Sequence, residues 1–343
     1  MISSGELAQL VADGIRGVTS NPSIFQNAID TSDQYDDQIR HLVSANPDAT
    51  VDEIFEDLAI ADIQGAADVL RPVYDAAGGD DGFISLEVSP LLAADTAGTI
   101  EAAKRLWQKV DRPNLMVKVP ATPEGISAVE DLIAAGININ VTLLFALSAY
   151  EDAAHAYIRG LARAADPTSI SSVASFFVSR VDSTADGVLD KIGSLEALEL
   201  RGTVAVANAK LAYRTYQAIF EGPAFAAELA RGARSQRCLW ASTSTKNPAY
   251  SDVLYVDTLI GPNTVNTLPP ATVDSFIDHG NIDGGALGSD TAGAEAILQA
   301  FRAVGGDIEA VTDELLEEGV RKFADSYVDM LDTLRRKIEI IAG

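Results

Sequence analysis

The sequence predicts an α/β fold with parallel strands, because two kinds of segment alternate along the chain. Amphipathic stretches with apolar residues at three- and four-residue steps predict helices, among them residues 100–110, 125–135 and 147–164. Between the helical stretches lie short apolar runs rich in β-branched residues, which are typical of buried strands. The predicted strands are residues 15–19, 83–88, 115–119, 137–143, 172–179, 238–242 and 253–258.

Seven strands are one fewer than the eight of a closed (β/α)8 TIM barrel. The chain opens with a predicted helix, in which Leu7, Leu10 and Val11 share one face. We therefore expect a TIM barrel whose first strand is missing from this chain, forming a single domain over residues 1–343. An open, doubly wound sheet also accepts seven strands, but no glycine-rich phosphate loop follows the first of them. Apolar residues at helical spacing predict a long C-terminal helix packed on the barrel: Val320, Phe323, Tyr327, Met330, Leu334 and Ile338.

Charge and composition exclude several classes of function. Acidic residues number 50 against 25 basic residues, and a net charge of −25 repels nucleic acid and anionic membranes. The single cysteine, Cys238, allows no internal disulfide, and the three histidines show no metal-ligand spacing. We find no signal peptide and no apolar run of about 18 residues, so we expect a cytoplasmic protein without metal.

Lys118 is the most informative residue, because it interrupts an apolar run that otherwise predicts a buried strand. Burial of an ammonium group is costly unless a partner compensates it. Desolvation favours the neutral amine, which is a nucleophile toward carbonyl carbons. The position therefore indicates a lysine that forms a Schiff base.

Polar residues follow the predicted strands at their carboxyl ends, where barrels of this class carry their reactive groups. Asn138, Asn140 and Thr142 share one face of a strand by the two-residue period. Each polar residue alone has a simpler explanation: Glu87 as a salt-bridge partner of Lys118, Arg180 as a surface residue, or an amide as a turn former. Asp182 and the acidic run 313–318 are expected to be solvated.

Six segments in succession resemble the motifs of the transaldolase family, in the longer form found in actinobacteria and cyanobacteria. The resemblance covers the chain from Ser4 onward, and the motifs occur in the order of the family. They are GVTSNP at 17–22, SLEV at 85–88, VKVPAT at 117–122, GININVTLLF at 136–145, ASFFVSRVD at 174–182 and LWAST at 239–243.

The resemblance implies a class I aldolase, which needs neither metal nor organic cofactor. Lys118 would form a Schiff base with a ketose phosphate, and Glu87 would move protons through a water held in part by Thr142. A dihydroxyacetone unit would pass from sedoheptulose 7-phosphate to glyceraldehyde 3-phosphate, giving erythrose 4-phosphate and fructose 6-phosphate in the pentose phosphate pathway. The expected partners are sugar phosphates, and we expect a monomer or a homodimer. The residues implied in substrate binding are Asn21, Asn140 and Ser175 for the three-carbon unit, and Arg180, Ser244 and Lys246 for phosphate.

Two departures from the family pattern stand out. The family carries a catalytic aspartate at the end of its first strand; Asp13 is the nearest aspartate before Asn21, but it follows a predicted helix and does not inherit the role. Lys246 stands where other members carry arginine, which weakens bidentate phosphate binding. Two other functions therefore remain open: a sugar-phosphate-binding protein without activity, and an aldolase that releases dihydroxyacetone to water.

Overall fold

The computed structural model describes residues 4–31, 33–282, 287–288 and 291–342, and these contain a seven-stranded sheet. The strands lie in the sheet in chain order, and the pairs β1–β2, β2–β3, β5–β6 and β6–β7 are parallel. The predicted α/β fold of the TIM-barrel class is thereby confirmed, and no strand precedes β1 within residues 4–16. The strands are β1 (Gly17–Thr19), β2 (Phe83–Glu87), β3 (Leu115–Pro120), β4 (Ile139–Leu144), β5 (Ser172–Phe177), β6 (Arg237–Ala241) and β7 (Thr264–Asn266).

Helices separate the strands, and a 35-residue helix closes the described chain. No helix in the described residues is long and apolar enough to cross a membrane. The helices are α1 (Glu6–Ala12), α2 (Pro22–Thr31), α3 (Asp36–Ala45), α4 (Val51–Ala76), α5 (Thr96–Val110), α6 (Pro123–Ala134), α7 (Leu147–Arg163), α8 (Ser179–Ile192), α9 (Leu195–Leu198), α10 (Val204–Phe220), α11 (Ala226–Ala230), α12 (Leu254–Asp257), α13 (Pro270–His279), α14 (Thr291–Ala303) and α15 (Ile308–Ala342).

One predicted strand is wrong. Residues 253–258 contain the short helix α12, and the last strand is β7, which was not predicted. A short apolar run does not distinguish a strand from a buried helical turn, and here Tyr255 and Val256 are buried on the helix. Strand β7 has only three residues, Thr264–Asn266, and they are half-buried. A segment this short with two polar residues gives no recognisable strand pattern.

The chain divides into two compact units, and the single domain expected from the sequence stays a prediction. The first unit comprises Met1–Val119, Ile137–Ile139 and Val320–Gly343. Its helix α4 begins with a capping box, in which Thr50 and Glu53 satisfy each other's backbone N–H groups. Leu334 of α15 is buried against Ile39 and Leu58, as the helical spacing of the C-terminus predicts.

The second unit comprises Pro120–Gly136 and Asn140–Gly319. Its core is built on aromatic residues: Phe176 on β5 makes edge-to-face contacts with Tyr150 and Trp240. Strands β5 and β6 pair along their length, so the residues at their carboxyl ends leave the sheet side by side.

Candidate active site

In the first unit, Lys118 and Glu87 are cross-strand neighbours, because the register of β2 and β3 pairs them directly. The Lys118 side chain is 7% exposed and that of Glu87 is 5% exposed. Nζ of Lys118 donates hydrogen bonds to Oε2 of Glu87, at 3.1 Å, and to the main-chain carbonyl oxygen of Ser20, at 3.0 Å. The buried lysine predicted from the sequence thus has both a charged and a neutral acceptor.

The electrostatics of the pair are dominated by burial. Burial raises the pKa of the Glu87 carboxyl above its ordinary value, and the charge and hydrogen bond of Lys118 oppose that shift only in part. A carboxyl group with a raised pKa takes up and returns a proton more readily near neutral pH. Glu87 is therefore suited to proton transfer as well as to pairing with Lys118.

The turn after β1 supplies the second acceptor. Ser20 is held against β2, since its backbone N–H and its hydroxyl both donate to the carbonyl oxygen of Ser85, at 3.2 and 2.8 Å. Sequence reasoning missed the part of Ser20 in the site, because a main-chain carbonyl carries no signal in residue type. Asn21 follows directly, and its Oδ1 accepts the Ile24 N–H at 2.9 Å, which caps α2. The Nδ2 donors of Asn21 and the second lone pair of this oxygen are left for a ligand.

In the second unit, three predicted site residues lie buried on β4 and β5. The Ser175 hydroxyl donates to Oδ1 of Asn140 at 2.6 Å, and both residues are at most 3% exposed. Oγ1 of Thr142 is buried without a hydrogen-bond partner among the described residues. Buried hydroxyl groups are normally paired, so an unpaired one calls for a functional explanation.

Asn138 does not share the environment of these residues. It lies before β4, in the first unit, and its Nδ2 donates to the carbonyl oxygens of Pro113 and Leu115 at 2.9 and 3.0 Å. The expectation that Asn138 joins the polar side chains at the carboxyl end of the strand is therefore wrong. Its amide instead holds the chain at the start of β3.

The backbone is strained at the carboxyl ends of β4 and β6. Leu143 and Ser242 have positive φ angles of 59° and 55°, which cost roughly 1–3 kcal/mol each for residues other than glycine. The strain at Ser242 is held by α8: the Ser179 N–H donates to the Ser242 carbonyl at 2.9 Å, and the two hydroxyls lie 3.0 Å apart. Neither serine was among the predicted site residues.

Arg180 is the second residue of α8, and its guanidinium is half-buried over the ring of Phe177, 5.6 Å from the centroid. It makes no hydrogen bond or ion pair within the parts of the chain that the structure describes. Burial lowers the pKa of Arg180 while the nearby charge of Glu318 raises it, and a guanidinium stays protonated under such shifts. An unpaired cation of this kind is suited to bind a phosphate.

The other two predicted phosphate ligands lie in the irregular segment after β6. Nζ of Lys246 donates to Oγ of Ser244 at 2.7 Å, and Lys246 is exposed. The described residues contain no group of three or more histidine, cysteine, aspartate or glutamate side chains that could hold a metal ion. Asp13 is exposed at the end of α1, where its Oδ1 accepts from the Gln9 amide.

The expectation that Asp182 is solvated is wrong. This residue is 1% exposed, and it accepts the Ala205 N–H at 2.7 Å and the Tyr255 hydroxyl at 2.8 Å. The tyrosine follows the aspartate by 73 residues in sequence, so no local pattern reveals the pair.

Comparison with known proteins agrees with the motifs. The sequence model of the family described as Transaldolase/Fructose-6-phosphate aldolase matches residues 1–334. A transaldolase of Thiobacillus denitrificans is 49% identical over 336 residues, covering 96% of this chain and 93% of that protein. Transaldolase 1 of Streptomyces coelicolor is 46% identical over 343 residues, covering 98% and 90%. A transaldolase of Parafrankia is 47% identical, covering 98% and 92%. The predicted resemblance is confirmed, and the chain belongs to the transaldolase/fructose-6-phosphate aldolase family.

Proposed function

We propose that this chain is a transaldolase, which transfers a dihydroxyacetone unit from a ketose phosphate to an aldose phosphate through a Schiff base on Lys118. The observation that carries the proposal is the buried amine of Lys118 within 3.1 Å of a carboxylate whose pKa is raised. Family membership and the names of the relatives support the same reaction.

The first step requires a neutral amine, because an ammonium group is not a nucleophile. Glu87 Oε2 accepts a hydrogen bond from the lysine ammonium and is positioned to take its proton. The amine then attacks the C2 carbonyl of the ketose, and the carbinolamine loses water with a proton supplied by Glu87. The product is an iminium joined to Nζ.

The iminium withdraws electrons from C3, so the C3–C4 bond breaks once the C4 hydroxyl has lost its proton. An aldose leaves, and the three-carbon enamine attacks the aldehyde of a second aldose before hydrolysis frees Lys118. In this proposal Thr142 holds the water that relays protons with Glu87. Asn21, Asn140 and Ser175 bind the hydroxyl groups of the three-carbon unit.

Phosphate recognition is assigned to Arg180, with Ser244 and Lys246. The support is the unpaired, half-buried guanidinium on α8 and the contact between the lysine and the serine. The proposed substrates are sedoheptulose 7-phosphate and fructose 6-phosphate as donors, with glyceraldehyde 3-phosphate and erythrose 4-phosphate as acceptors. We place the protein in the pentose phosphate pathway of the cytoplasm, as a monomer or homodimer without nucleic-acid or membrane partners.

Borohydride trapping tests the Schiff base. Wild-type protein is treated with fructose 6-phosphate and borohydride, and the modified peptide is identified by mass spectrometry. We expect a reduced three-carbon adduct on Lys118 that is absent from the Lys118→Met variant and retained in Lys109→Met, which removes an exposed lysine. A folded wild-type protein without adduct would contradict the proposal.

Product analysis separates transfer from simple cleavage, since the family description covers both. A transaldolase incubated with fructose 6-phosphate and erythrose 4-phosphate yields sedoheptulose 7-phosphate without free dihydroxyacetone. Release of dihydroxyacetone at the rate of ketose consumption would instead identify a fructose 6-phosphate aldolase. Binding of fructose 6-phosphate with neither product would identify an inactive sugar-phosphate-binding protein.

A further inference from the structure

Two carboxylates one helical turn apart on α8 each accept the hydroxyl of a tyrosine. Tyr255 donates to Oδ2 of Asp182 at 2.8 Å, and Tyr250 donates to Oδ2 of Asp186 at 2.6 Å. We call these four residues the α8 clamp. The proposed reaction makes no use of any of them.

The remaining oxygen of each carboxylate binds a backbone N–H at or just before the start of α10. Oδ1 of Asp182 accepts from Ala205 at 2.7 Å, and Oδ1 of Asp186 accepts from Gly202 at 3.0 Å. Asp182 is 1% exposed and Asp186 is 9% exposed. Because every oxygen of the two carboxylates is paired, the α8 clamp is built to hold chain segments together rather than to bind a ligand.

The segment that Tyr250 anchors is the irregular stretch of residues 242–253, which carries Ser244 and Lys246. Its two ends are bonded to other elements, through Ser242 to Ser179, Thr243 to Asn266 and Asp252 to His279. Between these ends local hydrogen bonds occur, such as Thr245 Oγ1 to the carbonyl of Ser251 at 2.8 Å. Within the same stretch, Tyr250 connects the segment to α8 through its hydrogen bond with Asp186, and Arg201 interacts with the same tyrosine hydroxyl.

Gly202 packs against the ring of Tyr250. It adopts a positive φ of 70°, and a Cβ atom there would lie 2.8 Å from Cζ of Tyr250. The tyrosine ring therefore packs directly on the glycine backbone while its hydroxyl reaches Asp186. Ring packing and hydrogen bonding together define one position for the segment.

Arg180 lies on the same helix, six residues before Asp186, which is about 9 Å along the axis. We propose that Asp186 and Tyr250 are positioning residues of the phosphate site: their hydrogen bond holds the segment with Ser244 and Lys246 at a fixed distance from Arg180. The inference rests on the proposed function, because it takes these three groups as the ligands of the substrate phosphate.

Loss of the anchor has a specific consequence. Without it the middle of the segment loses a fixed point between its two bonded ends, and restoring that position when phosphate binds carries an entropic cost that reduces affinity. A ligand without phosphate does not contact the segment and escapes the cost. A positioning role therefore weakens phosphorylated ligands selectively, whereas a general loss of stability weakens all ligands.

The test is calorimetric titration of wild type, Tyr250→Phe and Tyr216→Phe with inorganic phosphate and with fructose 6-phosphate. Tyr216 is a matched control, since its hydroxyl lies 3.0 Å from Ser235 Oγ, before the start of β6. We expect Tyr250→Phe to weaken both ligands roughly 3–10-fold, the worth of one net hydrogen bond, and Tyr216→Phe to weaken neither. In kinetics, KM for fructose 6-phosphate should rise by the same factor while kcat and KM for unphosphorylated dihydroxyacetone stay constant.

Equal phosphate affinity in wild type and Tyr250→Phe would overturn the inference. So would a wild-type protein that binds no phosphate, or a loss of kcat and melting temperature in Tyr250→Phe with KM unchanged. Phosphate affinity is measured without turnover. A protein that binds phosphate as expected but gives no borohydride adduct would therefore overturn the proposed function and leave the role of the α8 clamp standing.

Discussion

The energetic cost of burying three carboxylates is offset by different partners, and this difference indicates their roles. Glu87 faces a lysine, Glu228 faces Arg231 three residues further along the chain, and Asp182 has only neutral donors. Glu228 stabilises a helix end through a local ion pair. Glu87 instead meets an amine 31 residues away, on the neighbouring strand. This pairing places a carboxylate beside the amine that the proposed reaction uses.

Replacing Glu87 by glutamine should lower kcat about 10²–10⁴-fold, because proton transfer by a positioned group contributes that much to the rate. Affinity for inorganic phosphate should not change, since Glu87 has no part in phosphate recognition. Steady-state kinetics with fructose 6-phosphate and erythrose 4-phosphate measure the effect. Glu228→Gln is the matched control, because it also neutralises a buried carboxylate that is paired with a cationic side chain. Wild-type kcat in Glu87→Gln would show that the carboxylate is only a salt-bridge partner.

Asp182 predicts a pH-dependent difference in stability. Burial raises its pKa from 3.8 to about 6, so the folded protein binds this proton more tightly than the unfolded chain does. Its contribution is present in full below about pH 4 and is lost as the pH rises to 6, by roughly 3 kcal/mol. In urea denaturation, Asp182→Asn should gain stability relative to wild type over this window, since asparagine can still accept from Ala205 and donate to Tyr255.

A comparison of the stability of wild type with that of Asp182→Asn isolates the contribution of this one carboxylate. Carboxylates whose pKa is lowered by arginine or lysine, such as Glu56 and Glu130, change stability in the opposite direction but are common to both. Parallel stability curves from pH 4 to pH 7 would refute the shift at Asp182.

Sequence reasoning located the predicted site residues on strands or directly after them, because the period of a strand and the position of strand ends are local properties. It could not detect Ser20, whose contribution is a backbone carbonyl, or the burial of Asp182 by Tyr255. Asn138 shows the converse error: correct periodicity placed it on a shared face, but its neighbours are the backbone carbonyls before and at the start of β3.

At the scale of elements, long helices and strands were predicted well from the sequence, and the shortest ones were predicted poorly. The predicted helix at 100–110 lies within α5, and the predicted strand at 115–119 lies within β3. The helix α12 and the strand β7 have four and three residues. Segments of this length contain about one period of a helix or a strand, so tertiary packing decides their conformation.

The turn from β3 into α6 makes a prediction about a single glycine. Thr122 caps the helix by accepting the Gly125 N–H at 3.0 Å, and this brings Gly125 so close to Pro120 that a Cβ would lie 2.0 Å from the Pro120 carbonyl oxygen. Gly125→Ala should therefore lower the free energy of unfolding by about 1–3 kcal/mol, the usual cost of overpacking. Urea denaturation measures it.

Gly187 on α8 offers the matched substitution, because a Cβ there meets nothing within 4 Å. Alanine at this position should be neutral or stabilising by up to about 1 kcal/mol, from helix propensity alone. Equal effects at the two glycines would show that the close approach to Pro120 relaxes without cost.

At the scale of the molecule, the alternation of strands and helices predicted the fold class, since parallel strands require a crossover after each strand. Composition is the other property of the whole chain. A net charge of −25 surrounds a proposed substrate that is itself an anion. The half-buried guanidinium of Arg180 must therefore attract phosphate locally against a repulsive surrounding field.

Adding salt to a solution of low ionic strength should therefore increase kcat/KM for the phosphorylated substrate. The Debye length falls from about 30 Å at 0.01 M to about 10 Å at 0.1 M, so added salt screens the long-range repulsion more than the short-range contact with Arg180. We expect kcat/KM for fructose 6-phosphate to rise over this range of potassium chloride. With neutral dihydroxyacetone as the donor, kcat/KM should stay constant and serves as the control. A fall for the phosphorylated donor alone would show that the local cationic field, rather than the net charge of the molecule, governs capture of the substrate.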